Sequence, residues 1–508
     1  MQTELEILKK ENSALMARLV RKDKRIERLE EEIRLHILAR FGRKSEVYEN
    51  PNQPGLFNEI ETDSTEAQPE REEDLEETTV GPYTKKRGHR RPLPEFLPRE
   101  RLEHDLSEEE KYCSLHNLTL VKIGEDVSEE LEIIPEQIKV IQHVRPKYKC
   151  PCCEGSIKQQ PAQKRAIPGS MASSGLLAYI CVAKYVDHLP LYRLEKKFER
   201  IFVSIPRLTM ARWMIKVSEV LTPLYNLMQD ELLGGGILQM DETSVQVLKE
   251  PSRDASTKSY MWVRARDAAT GPPIVLYDYF PSRATRVVSE LLAGYTGILQ
   301  TDGYKSYDAF AAEKDIIHAG CLAHARRKFW EAFKAAKGAK NTFAEHGLKQ
   351  IKAVYKLEAE TKLMTSEGRL KHRQEHMEPI FTEFKKWIDE TINKVPATLK
   401  TGVALHYISE QWPKLQHVLR DGRIPLDTNF IEGRIRPFTL GRKNWVFSDT
   451  QSGAHASAMI YSIVETAKAN NVEPYAYLHH VIERLPTVTE VSEIVALLPY
   501  NFSKQKLN

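Results

Sequence analysis

A chain of 508 residues is too long for one hydrophobic core, and its length favours three or four domains. With 41% hydrophobic and 29% charged residues and no uncharged apolar run long enough to span a bilayer, the composition indicates a soluble protein with no membrane partner. The charged start MQTELEILKKENSALMARL is not typical of a secretory signal, and a net charge of +3 is too small to identify a partner.

Residues 1–44 have the heptad pattern of a coiled coil. Most a and d positions are apolar, and Asn12 at an a position is the kind of residue that fixes register and favours two strands. We therefore expect a homodimer or higher oligomer through this zipper, and the alternative is a single amphipathic helix packed on its own chain. The a positions are Leu5, Asn12, Leu19, Ile26 and Ile33, and the d positions are Leu8, Leu15, Lys22, Leu29 and His36.

Residues 45–100 predict a disordered linker, first acidic and then basic. The basic part, TKKRGHRRPLPEFLPRER, resembles an AT-hook, because a narrow extended basic segment can lie in a DNA minor groove. The alternative is a solvated basic linker. The cations that we expect to contact DNA are Lys85, Lys86, Arg87, Arg90 and Arg91.

Residues 101–165 predict a structural zinc module. Cys113 and His116 form one closely spaced pair, and Cys150 and Cys153 form another, with strand-like sequence between the pairs. Paired sulfur and nitrogen ligands at this spacing suit tetrahedral Zn²⁺. Most of the six cysteines crowd into this region, which in a chain without an export signal favours metal over disulfides. The alternative is free thiols and a surface histidine.

Residues 170–230 show helical periodicity and predict a helix-turn-helix that binds DNA. SGLLAYICVAKYVDH and LPLYRLEKKFERI predict two helices, and Ser204 is placed to cap a third. In that arrangement Arg207, Thr209 and Arg212 face a groove of DNA. A plain helical spacer is the alternative.

Residues 235–335 predict a mixed sheet. The element order is βββαβαβ, with Asp241 at the end of the apolar run ILQM and Asp302 after GILQT. Right-handed crossovers place the first and fourth strands side by side, so the two aspartates should be neighbours. Neighbouring carboxylates repel unless a cation lies between them, and two Mg²⁺ ions about 4 Å apart can bind both the attacking and the leaving oxygen at phosphorus.

Residues 421–455 supply the third acid, Glu432, in LDTNFIEGRIRPFTLGRKNW. We expect Asp427 to cap a short helix on which Glu432 faces inward, and Pro437 to limit its length. Each acid taken alone could instead be an ordinary capping or salt-bridged residue. The surrounding cations, expected where a phosphate backbone would pass, are Arg434, Arg436, Arg442 and Lys443.

Together these features resemble the DDE transposases with an RNase H-like catalytic core, and more narrowly the insertion-sequence-66 family of bacterial transposases. The motifs that carry the resemblance are FGRKSE, KKRGHRRPLP, LQMDET, LQTDGY, NFIEGRIRPFTLGRKNWVF and SAMIYSIVETAKANNVEPYAYLHHVIERLP. The resemblance implies that Asp241, Asp302 and Glu432 form the catalytic metal-binding triad. It also implies a helical insertion over residues 336–420 and a C-terminal helical region over residues 456–508.

Cys321 and His324 lie just before the insertion. By resemblance to similar enzymes, we expect this pair to brace the core near the insertion. A second zinc site is the alternative.

The function that the resemblance implies is Mg²⁺-dependent cleavage and strand transfer at the ends of a mobile element. Two Mg²⁺ ions, with Mn²⁺ as a substitute, and a structural Zn²⁺ are the expected cofactors. The expected partners are double-stranded DNA of the element ends and target, a second copy of the chain, and small accessory proteins, in the bacterial cytoplasm at the nucleoid. The alternatives are a catalytically inactive DNA-binding regulator and an RNase H-like nuclease that cleaves without joining.

Overall fold

The structure is a computed structural model, and the residues that it describes are 138–148, 158–314, 316–336, 338–339 and 342–502. Two compact units are distinguished, one spanning Tyr48–Pro161 and the other containing Ala162–Asn508. In the first unit β1 (Lys147–Tyr148) pairs antiparallel with β2 (Lys158–Gln159).

Several predictions for the first third of the chain concern residues outside the described ranges. These are the coiled coil of residues 1–44, the linker and basic segment of residues 45–100, and all four proposed zinc ligands. They stay predictions.

Three helices precede the sheet, as predicted: α1 (Ser174–Tyr185), α2 (Leu191–Glu199) and α3 (Arg207–Leu233). The predicted cap of α3 is wrong, because Pro206 rather than Ser204 occupies its N-cap position. Proline disfavours a helical conformation in the residue before it, so the helix starts only after Pro206. The carboxylate of Glu195 on α2 accepts a hydrogen bond from the Arg207 amide at 2.9 Å. This bond satisfies a backbone N–H group in the first turn of α3, where the helix dipole also favours a carboxylate.

Helix α3 belongs to the same hydrophobic core as the sheet. Its buried side chains include Met210, Trp213, Val217, Leu221 and Leu224, and they cluster with buried residues of the strands. The helix is therefore part of the same structural core as the sheet.

The sheet has the predicted βββαβαβ order. Its strand order is β5-β4-β3-β6-β7, with β3, β4 and β5 antiparallel and β6 and β7 joined in parallel to β3. The first and fourth strands of the sheet therefore lie side by side, as predicted. The elements are β3 (Ile237–Lys249), β4 (Lys258–Arg266), β5 (Ile274–Phe280), α4 (Thr285–Leu291), β6 (Ile298–Gln300), α5 (Lys305–Lys314) and β7 (Ile317–Ala319).

Hydroxyl side chains of a C-terminal helix, α12 (Gln451–Ala469), cover the free edge of β5. The Val275 amide donates to Thr466 Oγ1 at 3.0 Å, and the Tyr277 amide donates to Ser462 Oγ at 2.7 Å. An uncovered edge strand offers its backbone to other chains. The helix removes that possibility at β5 and fixes its own position on the sheet.

The remaining helices lie in the residues predicted to form the insertion and the C-terminal region. The insertion packs against α6 with its own core, which includes Phe329, Ile351, Phe384 and Trp412. Among the helices that the structure describes, none is long and apolar enough to cross a membrane. The elements are α6 (Leu322–Ala335), α7 (Phe343–Glu360), α8 (Ser366–His372), a π-helical turn (Arg373–Met377), α9 (Glu378–Thr391), α10 (Lys400–Leu415), a 3-10 turn (Gln416–Leu419), α11 (Asn429–Trp445), β8 (Ser448–Thr450), α12, α13 (Pro474–Arg484), a 3-10 turn (Leu485–Thr487) and α14 (Val491–Ala496).

Arg264 on β4 is a fully buried cation whose guanidinium ties the sheet to α3. It donates to Asp278 Oδ2 at 2.8 and 3.1 Å, to Tyr225 Oη and Gln229 Oε1 at 3.0 Å each, and to the Leu291 carbonyl at 2.6 Å. Asp278 is the carboxylate that balances its charge.

Replacing Asp278 with alanine should lower the free energy of unfolding by about 3–5 kcal/mol, because it leaves Arg264 buried without a counter-charge. Urea denaturation measures the change. The control is Asp254→Ala, since Asp254 is exposed and its side chain bonds only to nearby Ser256, and that variant should keep wild-type stability. Equal stability of the two variants would show that the Arg264 network is not a stabilising element.

Candidate active site

The pairing of β3 with β6 brings two aspartates to one place on the sheet. The strands run parallel with Gln239 opposite Gln300, so Asp241 and Asp302 each follow a paired glutamine by two positions. Asp241 Oδ1 accepts a hydrogen bond from the Glu242 amide at 2.8 Å, and Asp302 Oδ1 accepts one from the Tyr304 amide at 3.0 Å. The structure thus places the two acids near each other.

Asp241 is mostly buried, and its surroundings are acidic. Burial, together with the charge of neighbouring Glu242, raises the pKa of Asp241 to about 7, and Asp302 and Glu432 push it in the same direction. Glu432, which is remote in sequence, therefore lies near enough to act on Asp241. The fold brings all three predicted acids into one electrostatic neighbourhood.

Glu432 lies in the first turn of α11, where the partial positive charge of the helix N-terminus favours a carboxylate. Two expectations for this helix are wrong. It is not short, because it continues past Pro437 to Trp445, and the N-cap position belongs to Thr428 rather than Asp427. Asp427 still accepts a hydrogen bond from the Asn429 amide at 3.1 Å.

Helix α6 presents two basic side chains to Glu432. Arg327 Nη2 lies 3.4 Å from Oε1 and 3.3 Å from Oε2 of Glu432, and His324 Nε2 lies 3.7 Å from Oε1. Burial and the charge of Arg327 lower the pKa of His324, while Glu432 and Asp302 oppose that shift. His324 therefore lies among the acids. The prediction that it braces the core did not place it there.

The Cys321 side chain contacts the start of the helix that carries Glu432. Its sulfur accepts hydrogen bonds from the Thr428 amide at 3.2 Å and the Thr428 hydroxyl at 3.1 Å. Burial raises the pKa of Cys321 to about 11, which keeps the thiol protonated.

A fourth carboxylate, Glu242, adjoins the three acids but has partners of its own. The Tyr307 hydroxyl donates to Glu242 Oε2 at 2.6 Å, and Arg283 forms an ion pair with Oε1. The guanidinium of Arg283 in turn lies over the Tyr304 ring, 3.8 Å from its centre. Glu242 is thus balanced by charge and hydrogen bonding.

Asp241 and Asp302 differ from Glu242, because neither forms an ion pair with a Lys, Arg or His among the residues that the structure describes. Two unbalanced carboxylates beside a third are donors of the hard oxygen type that Mg²⁺ and Mn²⁺ prefer. In the described part of the chain, no group of three His, Cys, Asp or Glu side chains is already arranged around a common ion position. The donor chemistry of the acids fits a divalent cation.

Arg442, predicted to contact DNA, contacts the sheet. Its guanidinium donates to Thr243 Oγ1 at 3.1 Å and to the Ser244 carbonyl on β3. These bonds hold the C-terminal half of α11 against the strand that carries Asp241.

The other basic residues predicted to bind DNA differ in exposure. Arg207, Arg212 and Lys443 are exposed, Arg436 is half-buried, and the five cations of the basic segment lie outside the described residues. DNA binding by these residues stays a prediction.

Several side chains around the acids were not predicted from the sequence. Glu242 directly follows Asp241, and Arg327 lies about one helical turn after His324. The sequence alone therefore indicated that Glu242 adjoins Asp241 and that Arg327 adjoins His324. Gln239 and Gln300 also had one, because LQMD and LQTD repeat the same spacing before each aspartate.

Comparison with known proteins identifies the chain as a transposase. Because the match to the Transposase IS66 family covers more than half of the sequence, the chain belongs to that family. The matched descriptions are Transposase IS66 family over residues 169–456, zinc-finger binding domain of transposase IS66 over 110–154, IS66 C-terminal element over 462–500, and Transposase C of IS166 homeodomain over 28–102.

The zinc-finger match contains all four predicted zinc ligands, and the homeodomain match overlaps the predicted zipper and contains the basic segment. Zinc binding is therefore a property that the family supports, while the identity of the ligands stays a prediction.

Relatives from Sinorhizobium fredii (strain NBRC 101917 / NGR234) match most of the chain. The uncharacterized protein y4qI is 34% identical over 414 residues, which cover 79% of this chain and 76% of the relative. The uncharacterized protein y4jD is 31% identical over 426 residues, which cover 82% of each. A solved structure titled Drosophila P element transposase strand transfer complex is 12% identical, with a TM-score of 0.34, and the match covers 60% of this chain and 94% of that one. A TM-score of this size does not establish a shared fold.

The raised pKa of Asp241 predicts a pH-dependent penalty on the metal-free fold. The folded chain holds this proton more tightly than the unfolded chain, so the stability that Asp241 contributes is present at low pH and is lost as pH rises through about 7. Asp241→Asn removes this titration. Relative to wild type, the variant should gain roughly 2–3 kcal/mol between pH 5 and pH 8.

Urea denaturation without added divalent metal, at both pH values, measures this difference. Asp254→Asn is the control, because hydrogen bonds from Ser256 lower the pKa of Asp254 and its titration is complete below pH 5. A stability difference between Asp241→Asn and wild type that is the same at both pH values would contradict the assigned environment of Asp241.

Proposed function

We propose that the chain binds the ends of a mobile DNA element and catalyses Mg²⁺-dependent strand cleavage and strand transfer with an RNase H-like core. The observation that carries this proposal is the placement of Asp241 on β3 and of Asp302 just after the adjacent parallel strand β6, with Glu432 acting on the same site. Membership of a transposase family supports the reaction class.

In this proposal two divalent ions are held by Asp241, Asp302 and Glu432. The ions are Mg²⁺, for which Mn²⁺ can substitute. Bound ions of this kind polarise the scissile phosphate and lower the pKa of an attacking water or 3′-hydroxyl. Asp241 supplies its carboxylate only when it gives up its proton, which the raised pKa places near neutral pH.

Glu432 has a basic partner that a metal ion would replace in this proposal. Its carboxylate lies against Arg327 at distances that are long for a charge-assisted hydrogen bond. A weak contact with a half-exposed arginine is readily exchanged for a metal ion. Arg327 then remains beside the site, where its guanidinium is placed to bind a DNA phosphate.

The regions around the core complete the proposed assembly. We assign Cys113, His116, Cys150 and Cys153 as ligands of a structural Zn²⁺, in the stretch that matches the family's zinc-finger domain. Element ends are bound by the basic segment of residues 84–101 and by the exposed Arg207 and Arg212. The zipper pairs two protomers, because the two ends of the element must be held together. Small accessory proteins of the same element complete the expected partners.

A strand-transfer assay tests the proposal. Wild-type protein with Mg²⁺ should cleave the terminal DNA of its own element and join the 3′ end to target DNA, and Asp302→Ala should lose both steps by at least about 10³-fold, since it removes a metal ligand. Asp254→Ala, an exposed aspartate outside the site, is the matched control and should keep full activity.

Joining that persists in Asp302→Ala would refute the assignment of the acids. Cleavage by wild type without joining would instead identify a nuclease, and specific DNA binding without either reaction would identify an inactive regulator.

A further inference from the structure

Two buried glutamines lie between the strands that carry the aspartates. Gln239 on β3 and Gln300 on β6 are paired in register and are 3% and 0% exposed. Gln239 Nε2 donates to Gln300 Oε1 at 2.7 Å, so the two side chains bond directly across the strands. Because strand side chains alternate between faces, Gln239 points to the same face of β3 as Asp241.

The same two side chains bond to the segment that leads into α11. Gln239 Nε2 also donates to the Asp427 carbonyl at 3.2 Å, and Gln239 Oε1 accepts from the Ile431 amide at 3.1 Å. Ile431 directly precedes Glu432. One side chain from the Asp241 strand therefore holds the backbone of the helical turn that carries Glu432.

Gln300 adds a second attachment from the other strand. Its Nε2 donates to the Pro425 carbonyl at 2.7 Å and to the Gly320 carbonyl at 3.1 Å. A shift of either aspartate strand relative to the entry into α11 breaks at least one of these hydrogen bonds.

A buried amide is costly unless its hydrogen-bonding groups are satisfied, and an apolar side chain would fill the same space without that requirement. Here both amides bond through oxygen and nitrogen, and every bond except the one to Gly320 joins two of the three chain segments that bear the acids or lead to them. A satisfied polar network of this kind specifies one geometry more strictly than apolar packing does.

We propose that the Gln239–Gln300 pair positions Glu432 relative to Asp241 and Asp302. The two glutamines are positioning residues that act through the backbone of residues 425–431. The consequence for metal binding rests on the proposed function, whereas the attachment of the α11 backbone does not.

The test compares Gln239→Met with wild type in the full-length chain. Methionine keeps a similar volume but removes the acceptor for the Ile431 amide and the donor to Asp427. Hydrogen–deuterium exchange of residues 427–433, measured without metal, should be faster in the variant. The affinity for Mn²⁺, followed by electron paramagnetic resonance of the free ion, should fall about 10- to 100-fold, as is typical when a group that orients metal ligands is lost.

Gln229→Met is the matched control. Gln229 accepts a hydrogen bond from the buried Arg264, so the control also loses a hydrogen bond in the core but leaves the acids untouched. It should lower thermal stability while keeping wild-type Mn²⁺ affinity and wild-type exchange at residues 427–433. Gln300→Met retains the Gln239–Ile431 bond and should show an intermediate effect, and it replaces Gln239→Met if that variant does not fold.

The possible results separate the two claims. Unchanged exchange and unchanged Mn²⁺ affinity in Gln239→Met would overturn the positioning role even if wild type binds Mn²⁺ through Asp241 and Asp302. Wild type that binds no Mn²⁺ through these acids would instead refute the proposed function, and the exchange of residues 427–433 would still decide whether the glutamines hold α11.

Discussion

The parallel register of β3 and β6 is the constraint on which the candidate site depends. With Gln239 opposite Gln300, the same two-residue offset from each glutamine brings Asp241, within β3, beside Asp302, just past the C-terminal end of β6. A slip of one residue would turn the side chains of β3 to the opposite face and separate the acids. The register is held on both sides, because β3 also pairs with β4 over most of its length.

Glu432 reaches this point through contacts made by elements that are far apart in the sequence. Cys321 holds Thr428 at the start of α11, and Arg442 holds the later part of the helix on β3. The insertion contributes as well, since the Tyr355 hydroxyl on α7 donates to Asp427 Oδ2 at 2.9 Å. Movement of the insertion would therefore shift the start of the helix that carries Glu432.

The sequence predicted the sheet well because apolar runs, turns and helical periods are local signals. The order of strands and the proximity of Asp241 to Asp302 followed from them and from the right-handed crossover rule. Helix ends were less predictable, because they depend on partners from other elements. Glu195 replaces Ser204 at the start of α3, and the helix with Glu432 tolerates Pro437 within a longer run.

The surroundings of the acids were predictable only in part. The contact of Arg327 with Glu432 and the bonds from Gln239 to α11 join segments whose relative positions exist only in the folded chain. Charge balance is likewise a property of the fold. The sequence places Glu242 beside Asp241, but only the structure shows that Arg283 and Tyr307 balance Glu242 and leave Asp241 without a counter-charge.

Anomalous scattering from crystals of the protein grown with Mn²⁺ tests most directly that the three acids form one metal site. The account predicts two Mn²⁺ peaks about 4 Å apart, ligated by carboxylate oxygens of Asp241, Asp302 and Glu432, with Arg327 no longer bonded to Glu432. Mn²⁺ bound elsewhere, while Glu432 keeps its contact with Arg327 and Asp241 stays without a metal ligand, would contradict it.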